Sequence, residues 1–142
     1  MGVTPARWLV DKSALWRLPH VTVATALEPR ISAGTVGVSI VTELEVGFSA
    51  RSTADHARIR SELVDQLLPV ALPLRAEQRA REVQAALVER GQHRSAGVAD
   101  LLIAATAEME GLTLLHYDAD FDVIAGVTGQ GMEWIVPRGS VD

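Results

Sequence analysis

The chain has 142 residues, 48% of them hydrophobic and 22% charged, a balance that fits one compact domain with a sizeable core and excludes disordered and fibrous classes. Its 13 basic and 18 acidic residues leave a formal net charge of -5, which argues against holding nucleic acid by a broad basic surface and counterion release alone. It has no cysteine, so disulfides and thiolate metal sites are excluded and a reducing, cytoplasmic location is expected.

The N-terminal stretch MGVTPARWLVDKSALW has no uninterrupted apolar segment, and no run of about 18 apolar residues occurs anywhere, so neither an export signal nor a membrane span is expected. Short apolar runs alternate with amphipathic helical patterns, the sequence form of βα units and a parallel sheet. The first run is Trp8 to Asp11, followed by the helical SALWRL and then VTVATALEPRI. The second is Thr35 to Ser39, leading into IVTELEVGFSA and a further helix, DHARIRSELVDQLL. The third, Pro69 to Leu74, is broken by Pro73 and belongs near an edge. A long helix, AEQRAREVQAALVERG, ends at the natural C-cap Gly91, and VADLLIAATAEMEG ends at Gly111. The fourth run is Leu112 to Tyr117, and MEWIVP closes the chain. The expected architecture is a single domain over residues 1–142, a three-layer α/β/α sandwich around a mostly parallel sheet.

Acidic residues fall at informative places in this order. Ligands of open parallel sheets collect beyond the carboxyl ends of the strands. Asp11 ends the first strand and Asp118 follows the fourth, while Glu43 lies in the first turns of the helix after the second strand. Asp100 lies near the start of the helix that leads to the fourth strand, among apolar neighbours that imply partial burial at a cost. Four acids from four segments can therefore converge. Each also has a plainer reading: Asp11 as a helix N-cap, Glu43 and Glu45 as solvated helix charges, Asp118 as a turn residue. Oxygen-only ligands would select a hard cation such as magnesium or manganese. His20, His56, His93 and His116 show no metal-ligand spacing, and His116, although beside the acids, is left out of the site.

DADFDVIAGVTG, read as a calcium loop, fails at its sixth position, Val123, and at its twelfth, Gly129. The set LVDKSAL, TELEVG, ADLLIAATA and LLHYDADFDVI, taken in order and spacing, resembles the PIN-domain ribonucleases, specifically VapC-type toxins. That resemblance implies metal binding by Asp11, Glu43, Asp100 and Asp118, with Asp120 assisting. It also implies a magnesium- or manganese-dependent endoribonuclease acting on RNA, a homodimer, and inhibition by a cognate antitoxin. Two departures stand out: Lys12, where the family has Thr or Ser, and the additional acid Asp122. Arg17, Arg51 and Arg94 are candidate substrate contacts by placement. Trp16, Leu18, Val21, Val23 and Leu27 form an apolar surplus that marks either an interface or the core. The rival to an enzyme is a catalytically silent metal- or protein-binding module of the same fold.

Overall fold

The computed structural model describes residues 6–142; the first five residues of the expected domain lie outside that range. Five parallel strands form one sheet: β1 (Trp8–Val10), β2 (Val36–Ser39), β3 (Leu68–Val70), β4 (Thr113–His116) and β5 (Met132–Trp134). Their spatial order is β3-β2-β1-β4-β5. The chain winds outward from β1 through β2 to β3, then crosses back to place β4 on the other side of β1. The sheet therefore reverses its direction of winding between β1 and β4, which opens a crevice at the carboxyl ends of those two strands.

Seven helices cover the sheet: α1 (Lys12–Leu15), α2 (Val21–Ser32), α3 (Ile40–Phe48), α4 (Thr53–Ile59), α5 (Leu74–Glu89), α6 (Val98–Met109) and α7 (Asp120–Thr128). Because strand side chains alternate, neighbouring residues of β1 and β4 feed opposite faces. Leu9 and Leu114 pack with Val83, Leu87, Ile103, Phe121 and Ile124 of α5, α6 and α7. Val10 and Leu115 pack with Leu15, Val23, Leu27 and Ile31 of α1 and α2. Both layers are closed, and each fully buried Leu or Phe contributes roughly 1.5–3 kcal/mol of transfer free energy.

Several boundaries differ from the sequence reading. β3 starts at Leu68 and stops at Val70, because Leu74 already opens α5 behind the cap position Pro73. It is an edge strand, as expected, and so tolerates Pro69, which has no N–H to donate. The helix expected over DHARIRSELVDQLL widens into a π-helical turn, Arg60–Val64, where the Asp65 N–H donates to the Arg60 carbonyl at 2.9 Å. On the sheet, β2 and β3 approach closely at Gly37, where a Cβ would sit 2.5 Å from Val70 Cγ2.

Candidate active site

Asp11 directly follows β1, and its N–H donates to the Leu115 carbonyl of β4 at 2.9 Å, which fixes it at the switch point. Its Oδ2 accepts from the Ser13 N–H at 2.8 Å, so Asp11 is indeed the N-cap of α1. A cap does not require burial, yet Asp11 is only 4% exposed. That burial pushes its carboxyl pKa up, and the neighbouring Asp118 adds to the rise. The Ser13 hydroxyl accepts from the Tyr117 N–H at 2.8 Å, clasping the start of α1 to the end of β4.

Across this clasp lie Asp100, Asp118 and Asp120, each presenting a carboxylate oxygen within 4.8 Å of the other two. Asp100, in the first turn of α6, accepts from the Gly97 N–H at 3.2 Å. Burial, with the charges of Asp11, Asp118 and Asp120 behind it, raises its pKa to about 6. Asp118 Oδ1 accepts from the Asp120 N–H at 2.9 Å, a turn that launches α7 and uses one oxygen of the pair. Burial and then Asp118 raise the pKa of Asp120. The Asp118 N–H is held in turn by His116 Nδ1 at 3.1 Å. His116 is fully buried, with the rings of Phe121 and Trp134 each 5.0 Å away. Burial lowers its pKa, and the contact from its Nδ1 positions Asp118. Asp122 accepts from the Trp134 indole N–H at 3.2 Å, which gives the additional acid a structural partner.

Glu43, also expected in the site, is not in the group of three mutually close carboxylates. Its Oε1 accepts from Arg60 Nη1 at 2.6 Å, on the side of α3 that meets α4 and the π-helical turn. Residues two apart on a helix point about 200° away from each other, so Glu45 takes the opposite flank of α3. Burial raises the Glu45 pKa, Asp11 raises it further, and Lys12 opposes the rise, which places Glu45 beside the clasp. Which flank of α3 faces the clasp was not visible in TELEVG, although both acids were.

The expected basic contacts also divide. Arg17 lines a groove that includes Lys12 and Asp118, and Arg138, absent from the sequence reading, lines the same groove. Arg51 sits by Asp55 at the start of α4, and Arg94 is exposed between α5 and α6. Of the apolar surplus, Val23 and Leu27 are core and Leu18 packs against it. Trp16 and Val21 remain 43% and 78% exposed.

The acids present fit a hard divalent cation: the donors are oxygen only, three converge within bridging distance, and burial together with their mutual repulsion lifts the pKa of Asp100 to about 6. A five-stranded parallel α/β/α sheet with carboxylates crowded at its switch point defines the class, and the PIN domain profile matches residues 9–127, so the chain belongs to the PIN-domain family. Among curated proteins it is 48% identical over 137 residues to Ribonuclease VapC2 of Mycobacterium tuberculosis (strain CDC 1551 / Oshkosh), covering 96% of this chain and 97% of that one. It is 44% identical over 138 residues to Ribonuclease VapC51 of Mycobacterium tuberculosis (strain ATCC 25618 / H37Rv), covering 96% and 98%. Among solved structures, DNA-bound VapBC from Salmonella typhimurium superposes with a TM-score of 0.76 at 17% identity, covering 92% of this chain and 99% of that one, a likeness of fold. Among the described residues, no helix is long and apolar enough to cross a membrane.

Proposed function

We propose that this protein is a divalent-cation-dependent endoribonuclease and the toxin of a toxin–antitoxin pair, active in the cytoplasm. The observation that carries the reading is the meeting of Asp11, Asp100, Asp118 and Asp120 at the switch point, in a chain nearly half identical to a curated ribonuclease along almost its whole length. The ion is magnesium or manganese, held by Asp11, Asp100, Asp118 and Asp120, with Glu45 in the place expected for Glu43. When bound, it supplies Lewis acidity to the scissile phosphate and lowers the pKa of a water. The chain does the rest. The Asp11 cap and the Asp118 turn hold their carboxylates on rigid backbone, so little reorganisation is needed as charge develops. An acid not engaged by the ion would serve as the general base for the attacking water.

The partner reading is supported by solved structures of like fold, among them VapBC from Salmonella typhimurium and a member of the VapBC family of toxin–antitoxin systems from Mycobacterium tuberculosis. A cognate antitoxin is expected, together with a homodimer. Ile40, Leu44 and Phe48 recur every fourth residue along α3 and are exposed, Phe48 by 90%, which supports self-association through that helix.

RNA cleavage measured with magnesium or manganese, and again in excess chelator, tests the reading and separates it from a silent binding module. Asp11→Asn and Asp100→Asn should each abolish metal-dependent cleavage. Full activity in chelator, or unchanged activity in either variant, overturns the site.

A further inference from the structure

Beside the carboxylates lies a groove of about 580 Å³, walled by Lys12, Trp16, Arg17, Tyr117, Trp134 and Arg138, with Asp118 at its margin. That volume is within the range of roughly 300–1,000 Å³ typical of sites for small organic ligands, the size of a nucleotide. Its composition runs against the net charge of the chain, since three cations face one acid. Arg17 donates to main-chain oxygens of Asp142 (2.7 Å) and Ser13 (2.8 Å) and stacks 4.8 Å from the Tyr117 ring centroid, contacts that fix its position. Arg138 lies 5.8 Å from the Trp134 ring centroid.

The aromatic residues are held differently. Trp134 is anchored by Asp122 and flanked by His116 and Tyr117. Trp16 follows a single-turn helix whose Ala14 and Leu15 are fully buried, and yet it keeps 43% of its surface exposed. The core does not claim its indole. Arg138, Gly139 and Val141 also line the groove, in a segment tied to the Tyr117 hydroxyl, which accepts from the Gly139 N–H (2.8 Å) and the Val141 N–H (3.1 Å) and donates to the Val141 carbonyl (2.6 Å).

We propose that this groove seats one unstacked nucleotide next to the scissile phosphate, its base against Trp16 and its backbone phosphates on Lys12, Arg17 and Arg138. The assignment rests on the ribonuclease reading above and adds to it the residues that would hold the base; a base within a continuous A-form helix must first be unstacked, at a cost, before it can enter a groove.

The test titrates a short single-stranded RNA oligonucleotide into cleavage-deficient Asp100→Asn protein with magnesium present, followed by tryptophan fluorescence. Adding Trp16→Ala should weaken binding about tenfold, the loss of one base–aromatic stack, while Trp16→Phe should largely restore it. In the otherwise native protein Trp16→Ala should raise KM and leave kcat in place. Arg138→Ala should weaken binding and flatten its salt dependence. Unchanged affinity and KM in Trp16→Ala would overturn the groove assignment, as would equal binding of a blunt RNA duplex, or a Trp16→Ala defect confined to antitoxin binding. If the native protein cleaves no RNA, the ribonuclease reading falls by itself, whereas cleavage that is indifferent to Trp16 sinks only the groove.

Discussion

Asp100 is the residue on which the cost of the site is most visible. Its folded-state pKa of about 6 lies above the ordinary 3.8, so the folded chain binds this proton more tightly than the unfolded chain. The resulting stabilisation is complete below about pH 4 and is lost as pH rises through 6. His116 works in the opposite sense: its lowered pKa gives stability that is present above its ordinary 6.5 and lost on acidification. Comparing Asp100→Asn with the native protein cancels the histidine. In chelator the melting temperature of the variant should pull ahead of the native one progressively between pH 4 and 7, and parallel curves would show that Asp100 is not strained. Protons and metal compete for the same oxygens, so the magnesium affinity of the native protein should fall as pH drops below 6.

At the scale of the element, α3 separates the two glutamates. Thr42 and Val46 are its buried stripe, and Glu43 and Glu45 lie on opposite flanks of it. Glu45→Gln should lower cleavage by at least about tenfold, in keeping with loss of one charged group acting on the transition state. Glu43→Gln should leave kcat nearly intact and act on stability, since it breaks the ion pair with Arg60. A reversed ranking would return the role to Glu43. The sequence showed that a helix starts after Ser39 and carries two acids. It did not show which flank meets α1 and α6 and which meets the π-helical turn, because that depends on neighbours distant in sequence. For the same reason Asp122 was unassigned until β5 brought Trp134 beside it, and Arg138 drew no notice without the ring it covers.

For the molecule as a whole, the alternating period of the apolar runs was enough to read the parallel α/β/α class, and the ends of β1 and β4 were placed within a residue or two. Strand order was not legible, since hydrophobic pattern says which faces are buried and nothing about which strand lies next to which. Yet the order creates the site: with β1 beside β4, Asp11 and Asp118 share one crevice, and α6 delivers Asp100 to it. Three carboxylates within 4.8 Å make the metal-free molecule carry repulsion that a divalent ion removes. Asp118→Asn should therefore melt above the native protein in chelator while losing RNA cleavage. Added magnesium should stabilise the native protein by about 1.4 kcal/mol at ten times Kd, and the variant by much less. An equal response would reduce Asp118 to a turn residue whose Asn preserves the hydrogen bond to Asp120.

The Tyr117 hydroxyl, with its three hydrogen bonds to residues 139–141, has a consequence for chain entropy. A single phenolic oxygen gathers the closing segment into one conformation against a cost of about 1–2 kcal/mol for each backbone residue so fixed. Tyr117→Phe keeps the ring beneath Arg17 and removes only the knot. The amides of Gly139 and Val141 should then exchange hydrogen with solvent much faster while the strands keep their protection, and a protease should nick the segment first. Slow exchange persisting in the Phe variant would mean that the Asp142 contacts with Arg17 and His20 hold the segment without the hydroxyl.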